Sequence, residues 1–328
     1  MDTTRIVWTG PGAVELQAGT VAAPGPGEVL IENELTLISP GTEREWLRDD
    51  TSHAVLGVTF PFTPGYSSVG RIIEIGAGVD GWTLGDRVVP LGAPHGAHAA
   101  HQVLPAATLF KVPDGVSAAR AVLYQLGGTA VHTIRLGQVQ AGDSVGIIGQ
   151  GPIGQIALQA VRALHRGSST LVLDLEPSRL ETARNLGADT ALDPRAQTDL
   201  EEALAALGGG VRVVVDLSGA EAGINAAVGL AAPLGRVVLS TGTAADLPLA
   251  YGQVFTKGLT LVGAFVGARP MEFGVDTSTF LMLLAEGDIS VDHLIAEPFN
   301  PQEAPEVYQR VLDGDRELVA PMFVWSTR

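Results

Sequence analysis

Two stretches of the chain decide its fold: SVGIIGQGPIGQIALQAVRAL, residues 144–164, and TLVLDLEPSR, residues 170–179. An apolar run leads into a glycine-rich turn, an apolar-periodic helix follows, and a second apolar run ends at an acidic residue. This order predicts strand, turn, helix and strand, the first unit of a dinucleotide-binding sheet. A glycine pattern alone is a weak signal in a chain with 41 glycines, so the flanking elements and the acid carry the assignment.

The turn contains the spacing G-x-G-x-x-G, and each glycine has a mechanical role. The first permits a tight turn, the second removes a side chain that would block a pyrophosphate, and the third lets the helix pack close to the strand. The start of the helix attracts phosphate because its N–H groups are free. The expected pyrophosphate contacts are Gly149, Gly151, Pro152, Ile153 and Gly154.

Asp174 ends the second strand twenty residues after Gly154. A carboxylate at this position accepts hydrogen bonds from both hydroxyls of an adenine ribose and repels a 2′-phosphate, so the sequence predicts NAD rather than NADP. Arg179 is expected to lie over the ribose. Ligands of parallel sheets bind at the carboxyl ends of the strands. Further cofactor contacts are therefore predicted after the fourth and fifth strands, at Ser218, Thr241 and Gly242.

Length and composition indicate a two-domain globular protein. The chain has 328 residues, of which 46% are hydrophobic and 17% charged, enough for buried sheets in two domains. No apolar run approaches the roughly 20 residues of a membrane span. The first residues, MDTTRIVWTG, lack the basic start and apolar core of a signal peptide. We therefore expect a cytoplasmic protein with no membrane partner.

The chain has no cysteine, which excludes disulfides, thiolate nucleophiles and cysteine metal sites. The formal net charge is −16 at pH 7, and no basic cluster stands out. Nucleic-acid binding depends on neutralising phosphates, so no nucleic-acid partner is expected. The expected partner is a small-molecule substrate.

The pattern of elements changes near residue 127. Earlier residues mix strand-forming runs with dense turn signals, which predicts an irregular β domain. Later residues alternate apolar strands with helices, which predicts an α/β fold with a doubly wound parallel sheet. After about residue 266, a helix candidate, STFLMLLAEGDI, precedes a return to β structure.

These features together resemble the medium-chain dehydrogenase/reductase superfamily, the alcohol dehydrogenase-like proteins. The resemblance rests on PGPGEVLIE (24–32), PGTE (40–43), GRIIEIGAGVDGWTLGDRVV (70–89) and the coenzyme segment 142–189. It implies a GroES-like β domain formed by residues 1–126 and 266–328. It also implies a Rossmann domain at 127–265 and a cleft between the two that holds the nicotinamide.

The chain departs from the zinc-dependent members of this family at three positions. Those members carry a cysteine in C-G-T-D, a histidine in G-H-E and a later cysteine, aspartate or glutamate. Here Pro40 and Tyr66 stand at the first two positions, and the third falls near Tyr124 and Gln125. A four-cysteine structural zinc lobe is absent as well. The chain resembles a zinc-free branch, and no metal is expected.

A rival metal site is suggested by APHGAHAAHQVLP, where His95, His98 and His101 recur every three residues. Three histidines can bind zinc. However, this spacing does not place them on one face of a strand, and Pro94 and Gly96 argue against a helix. We interpret them as surface or loop histidines.

Without zinc, a side chain must take or donate the hydroxyl proton during hydride transfer. The resemblance places Tyr66 in the cleft, and a phenol can shuttle a proton if its pKa is lowered from about 10. Alternatively, its ring only fills the space that the metal left. Thr42 matches the hydroxyl that binds the substrate oxygen, and Glu43 matches the acid beside it. Thr42 with Glu45 also resembles a capping box at a helix start.

The leading hypothesis is a zinc-independent, NAD-dependent oxidoreductase acting on a secondary alcohol or ketone: a polyol, a sugar derivative or a ring-bearing metabolite. The alternatives are a reductase of activated C=C bonds and a noncatalytic NAD-binding redox sensor. Family members often pair through the edge of the Rossmann sheet. The apolar segment LTLVGAFVGARP (259–270) therefore predicts a homodimer.

Overall fold

The chain forms two compact units in the computed structural model, which describes residues 1–48, 58–91, 96–240, 242 and 246–326. The first unit comprises Met1–Gln125 and Val291–Arg328, and the second comprises Leu126–Ser290. The second boundary therefore lies after Ser290, whereas the sequence predicts it after residue 265. None of the described helices has the length and apolar character needed to cross a membrane.

The first unit is built from antiparallel strands and short helices. Its strands are β1 (Asp2–Gly10), β2 (Ala13–Thr20), β3 (Glu28–Leu37), β4 (Ser68–Ile75), β5 (Arg87–Pro90), β6 (His101–Pro105), β7 (Leu109–Lys111) and β14 (Met322–Val324). Its helices are α1 (Pro40–Leu47), α2 (Ala118–Ala121) and α10 (Ala304–Asp313), while α3 (Tyr124–Gly137) begins at the unit boundary. Strands β1 and β2 form a hairpin, and the other sheet has the order β14-β3-β4-β5-β7, with β6 also paired to β3.

The core around α1 is aromatic. Trp8 and Tyr308 are fully buried, and their rings meet edge to face with centroids 5.4 Å apart. Trp46 of α1 meets the Tyr66 ring in a T-shaped contact at 5.9 Å. Aromatic pairs prefer this geometry because the positive edge of one ring faces the negative face of the other. The packing holds α1 and the Tyr66 segment against one interior.

The second unit alternates strands and helices, as the sequence predicts. Its elements are β8 (Ser144–Ile148), α4 (Pro152–Leu164), β9 (Ser169–Leu173), α5 (Pro177–Asn185), β10 (Thr190–Leu192), α6 (Gln197–Ala206), β11 (Val211–Asp216), α7 (Glu221–Leu230), β12 (Ala231–Leu239), α8 (Tyr251–Lys257), β13 (Thr260–Gly263) and α9 (Pro270–Glu286). The six strands are parallel in the order β10-β9-β8-β11-β12-β13. The order reverses at β8, which pairs with β9 on one side and β11 on the other. The predicted α/β fold with a doubly wound sheet is confirmed.

Helix α9 explains why the second unit ends later than predicted. A Cβ built on Gly127 of α3 would lie 2.3 Å from ring atoms of Phe280, so the two helices approach very closely. Asp276 of α9 is buried and accepts hydrogen bonds from His132 and Arg135 of α3 at 2.7 Å. Breaking a buried ion pair is costly, so these contacts attach α9 to the second unit.

Candidate functional site

The glycine turn of the second unit joins the end of β8 to the start of α4. Gly149 has φ +91°, and a Cβ there would lie 2.8 Å from the Leu217 backbone, which follows β11. A Cβ on Gly154 would lie 2.0 Å from the carbonyl oxygen of Gly149. Both positions therefore require glycine, because the turn packs against its own backbone and against the end of the neighbouring strand.

Gly151 differs from these two glycines. It is the N-cap of α4 with extended backbone, and a Cβ there would meet no atom within 4 Å. Pro152 takes the first helical position, which suits proline because the N–H lost there has no helical partner, and Ile153 follows. The open space lies at a helix N-terminus, where free N–H groups and the helix dipole favour an anion.

Gln150 supplies a buried polar atom beside this space. Its side-chain amide donates to the carbonyl oxygen of Gly149 at 3.2 Å, while its Oε1 atom is buried without a hydrogen-bond partner among the described residues. Buried polar groups are normally paired. The protein itself encloses this atom, so the part of the turn that is open to a ligand is the space at Gly151.

Asp174 is fixed at the end of β9. One carboxylate oxygen accepts the Gln150 N–H at 2.6 Å, and the other accepts the Glu176 N–H at 2.8 Å. A carboxylate has about four acceptor sites, so these bonds leave capacity for ribose hydroxyls. Arg179 of α5 lies 3.8 Å from the same carboxylate, and its side chain is 40% exposed. The pair is loose, which leaves the guanidinium free to move over a ligand.

The other predicted cofactor residues follow β11 and β12. The Ser218 hydroxyl donates to the buried carboxylate of Asp216 at 2.6 Å, so its proton is already used within the protein. Gly242 is exposed after β12. Thr241 lies outside the described residues.

In the first unit, α1 begins three residues earlier than the sequence predicts. Ser39 is the N-cap, Pro40 is the first helical residue, and Thr42 lies inside the first turn. The predicted capping box of Thr42 and Glu45 is therefore wrong, because proline at the first position sets the start. Glu43 reaches back instead, and its carboxylate accepts the Ser39 N–H at 2.9 Å.

Tyr66 and Thr42 come together beside this helix start. The hydroxyls of Ser39 and Thr42 are near enough to the Tyr66 hydroxyl to lower its pKa, and Ser39 donates to Thr42 at 3.4 Å. Burial raises the pKa of Tyr66 to about 12, aided by the charge of Glu43 and opposed by the two hydroxyls. The lowered pKa that the proton-shuttle hypothesis requires is therefore not found. Tyr66 keeps its proton at neutral pH.

Glu43 follows Thr42 in α1, and its side chain is buried with no exposed surface. Its carboxylate accepts the Tyr308 hydroxyl at 2.6 Å and lies 3.3 Å from Nε2 of His98. Burial and the Glu43 charge raise the pKa of Tyr308 well above its usual value. A carboxylate enclosed in this way does not reach a substrate, so the predicted direct catalytic role of Glu43 does not match its position.

Of the three histidines of the rival metal site, the two that the structure describes have separate surroundings. His98 is buried, with Nδ1 2.7 Å from the Thr36 hydroxyl. His101 has Nδ1 3.1 Å from the Thr3 hydroxyl, and His95 lies outside the described residues. Within the described ranges, no three potential ligand side chains are grouped as a metal site.

The residues at the zinc-ligand positions of the family do not fit a zinc ion. The Pro40 side chain offers no ligating atom, and the Tyr66 hydroxyl is a phenol whose raised pKa keeps it protonated at neutral pH. The Tyr124 hydroxyl and the Gln125 amide both donate to the carbonyl oxygen of Tyr66, at 3.2 and 3.0 Å. Structural and catalytic zinc sites use thiolate, imidazole or carboxylate ligands, and this set contains none.

The sequence did not indicate that His98 and Tyr308 contact Glu43. Tyr308 stands on the apolar side of α10 with Val307 and Val311, and this pattern predicts only that it is buried. No spacing rule relates α10 to a carboxylate 265 residues earlier. Only the tertiary structure shows that these side chains meet.

Two family models match the chain. The alcohol dehydrogenase GroES-like domain matches residues 25–114, and the zinc-binding dehydrogenase model matches residues 152–280. L-Threonine 3-dehydrogenase of Vibrio parahaemolyticus is 31% identical over 74% of this chain and 77% of its own length. (R,R)-Butanediol dehydrogenase of Bacillus subtilis is 27% identical over 83% and 85%. The chain belongs to the medium-chain dehydrogenase/reductase superfamily of alcohol dehydrogenase-like proteins.

Solved structures show the same fold. An alcohol dehydrogenase of Escherichia coli, complexed with NADH, has a TM-score of 0.85 at 22% identity and covers 98% of this chain and 99% of that one. A dehydrogenase of Sinorhizobium meliloti, bound to NADP, has a TM-score of 0.83 at 20% identity and covers 99% of each chain. These likenesses confirm a GroES-like domain with a Rossmann domain.

Proposed function

We propose that this protein is a zinc-independent, NAD-dependent oxidoreductase that interconverts a secondary alcohol and a ketone. The observation that carries the proposal is the glycine turn, with open space at Gly151 and the fixed carboxylate of Asp174 beside it. The two curated relatives are named for oxidising a hydroxyl in threonine and in butanediol. Their names support an alcohol as the substrate class.

The choice of NAD over NADP rests on Asp174. Its two backbone hydrogen bonds hold the carboxylate at the end of β9, where it can accept from the 2′- and 3′-hydroxyls of an adenine ribose. A 2′-phosphate at the same place would meet a negative charge. Gly149, Gly151, Pro152, Ile153 and Gly154 would hold the pyrophosphate, and Arg179, Ser218, Thr241 and Gly242 are proposed as further contacts.

The bound nicotinamide supplies or accepts the hydride. In ketone reduction, Tyr66 would donate the proton from its hydroxyl to the substrate oxygen, while Thr42 orients that oxygen. The raised pKa of Tyr66 keeps the proton in place at neutral pH, which suits an acid that acts when negative charge develops on the substrate. The Ser39 and Thr42 hydroxyls near Tyr66 would then relay a proton from solvent to the phenolate, so that each hydroxyl regains the proton it passes on.

Zinc independence is supported by the side chains of the first unit. The family's ligand positions hold proline, tyrosine, and the pair Tyr124 and Gln125, whose polar atoms are directed to the Tyr66 backbone. A protonated phenol can take over one task of the metal, because it stabilises developing charge on the substrate oxygen.

We further propose that the protein is a homodimer paired through β13, with a cytoplasmic location and a small-molecule substrate. Strand β13 is the edge of the parallel sheet. Near it in the chain, Tyr251, Phe255 and Phe265 are exposed by 68%, 74% and 48%. Exposed edges and large apolar side chains are features of interaction surfaces.

The experiment is a turnover assay on protein purified without a histidine tag. Secondary alcohols are incubated with NAD, ketones with NADH, and enones with NADH and NADPH, and the nicotinamide absorbance is followed. The proposal expects turnover of at least one alcohol–ketone pair with NAD(H). Turnover of enones alone would identify a C=C reductase. Tight NAD binding without turnover would favour a noncatalytic sensor.

A further inference from the structure

His98 lies between the two segments that carry Thr42 and Tyr66. The imidazole is fully buried in the first unit, and each side of the ring contacts a different element. From this position, His98 can set the distance between the Thr42 and Tyr66 hydroxyls without contacting a ligand.

On one side, the ring faces α1. Its Nε2 atom lies 3.3 Å from the carboxylate of Glu43, the residue that follows Thr42. The same carboxylate accepts the Ser39 N–H and the Tyr308 hydroxyl, at 2.9 and 2.6 Å. Three hydrogen-bonding groups thus converge on one buried acid and fix the first turn of α1, where Ser39 and Thr42 lie.

On another side, the ring supports the backbone that carries Tyr66. A Cβ on Gly65 would lie 2.6 Å from Cδ2 of His98, so the imidazole fills the space directly beneath this residue. The backbone N–H of His98 also donates to the carbonyl oxygen of Pro64 at 3.1 Å, which joins the two segments independently of the ring. Gly65 has φ +86°, a conformation that glycine adopts readily. The position of Tyr66 therefore depends on where the imidazole stands.

The third side ties the ring to the sheet. Nδ1 lies 2.7 Å from the hydroxyl of Thr36 on β3, and that hydroxyl oxygen accepts the indole N–H of Trp325 at 2.9 Å. Because the Glu43 carboxylate can only accept, Nε2 must donate to it, and the Thr36 hydroxyl is then the donor to Nδ1. This arrangement assigns the imidazole proton to Nε2, where it is donated to Glu43.

We propose, on the basis of the proposed function, that Glu43 and His98 form a positioning pair that holds the Tyr66 and Thr42 hydroxyls at a working separation. Neither side chain contacts the substrate. Removing either partner deletes the Glu43–His98 hydrogen bond inside the first unit. The start of α1 and the Tyr66 segment then lose the contact that joins them.

The first test compares Glu43→Gln and His98→Asn with Glu34→Gln. Glu34 is the matched control because it is also a buried acid of the first unit, but it pairs with Arg71 and Arg87 on neighbouring strands. Both positioning variants should lower kcat about 10- to 100-fold, with KM for NADH unchanged within about twofold, because positioning affects the reacting geometry. The double variant should lose little more than either single variant, since the residues act as one unit.

The second test does not require activity. The chain has four tyrosines, so their ring resonances can be resolved in protein labelled with ¹³C-tyrosine and assigned with single Tyr→Phe variants. Glu43→Gln should shift the Tyr66 resonance and lower the pKa of Tyr66, because the Glu43 charge is one of the causes that raise it. Glu34→Gln should leave the Tyr66 resonance in place.

The outcomes separate the two proposals. Should the wild-type protein turn over no substrate, the proposed function fails while the Tyr66 resonance still tests the pair. If Glu43→Gln and His98→Asn fold but leave both kcat and the Tyr66 resonance as in the wild type, or if Glu34→Gln changes them equally, the positioning pair is refuted. Where a variant does not fold, Tyr308→Phe removes one hydrogen bond from Glu43 and keeps its charge. The Tyr66 resonance should still move because the carboxylate is less firmly held, and an unchanged resonance would refute the pair.

Discussion

The carboxylate of Asp174 accepts the backbone N–H of Gln150 at 2.6 Å, which ties the end of β9 to the glycine turn after β8. The acid is therefore held at a fixed place relative to the helix N-terminus at Gly151. In the proposed function, Asp174 would bind the ribose and the turn would bind the phosphates, so their fixed spacing would set where an adenine nucleotide lies along the sheet.

The first prediction concerns Asp174→Ala. The variant loses hydrogen bonds to the ribose worth about 1.5–3 kcal/mol, so the Kd for NADH should rise roughly 10- to 100-fold. Discrimination against NADPH should shrink, because the charge that repels a 2′-phosphate is gone. Titration calorimetry with both nucleotides measures the two effects. Asp288→Asn is the control, since Asp288 pairs only loosely with Arg166 at 3.8 Å. An unchanged preference would show that Asp174 does not read the ribose.

The second prediction separates two glycines of the same turn. Gly151→Ala adds a methyl group to open space, so the free energy of unfolding should change by less than about 0.5 kcal/mol while NADH affinity falls at least about tenfold. Gly154→Ala forces a methyl group against the Gly149 carbonyl and should cost about 1–3 kcal/mol of stability. Urea unfolding and NADH titration distinguish the two variants. Equal loss of stability in both would contradict the assignment of Gly151 to the ligand.

The third prediction concerns Tyr66→Phe. Loss of the hydroxyl should lower kcat about 10²- to 10⁴-fold, the range for removal of a general acid. NADH affinity should stay the same, and stability should change little because phenylalanine keeps the ring contact with Trp46. Steady-state kinetics and NADH titration provide the readouts, with the exposed Tyr251→Phe as control. If kcat of Tyr66→Phe equals that of the wild type, the Tyr66 hydroxyl has no catalytic role and the ring only fills space.

The fourth prediction is a loss of stability at alkaline pH. Burial is the main cause that raises the pKa of Tyr66 to about 12 and also raises the pKa values of Tyr124 and Tyr308. In the unfolded chain these phenols ionise near pH 10. Above that pH the folded state holds more protons than the unfolded state, so the free energy of unfolding falls as pH rises. The contribution of Tyr66 is complete below about pH 10 and is lost as the pH rises through about 12.

Urea unfolding at neutral pH and at about pH 11 measures this slope, because the second value lies between the unfolded and folded pKa values of Tyr66. Tyr66→Phe should reduce the slope, since one proton no longer contributes. If the variant and the wild type lose stability equally, the Tyr66 hydroxyl is not buried as described.

The sequence predicted the Rossmann half of the chain because its signals are local. The turn from Gly149 to Gly154 is specified by adjacent glycines and flanking apolar runs, and a few neighbouring residues determine the backbone there. The start of α1 was less well determined. The sequence predicts a start at Thr42 from its capping-box pattern with Glu45, whereas the helix starts after Ser39 because Pro40 suits the first helical position.

Contacts between distant parts of the chain were not predictable. Glu43 meets His98 across 55 residues and Tyr308 across 265, and no periodicity in one segment reports a partner that far away. The second unit ends later than the sequence predicts for a related reason. The helix pattern of α9 was visible in the sequence, but its packing against Gly127 and its buried Asp276 were not.

Zinc independence is tested most directly by metal analysis and turnover measured on the same sample. Protein purified without a histidine tag and dialysed against a chelator is assayed for zinc, and its NAD-dependent oxidation of a substrate alcohol is then followed. We predict well under one zinc per chain and a turnover rate that added zinc does not raise. Stoichiometric zinc that survives dialysis, or activity that appears only when zinc is restored, would contradict this prediction.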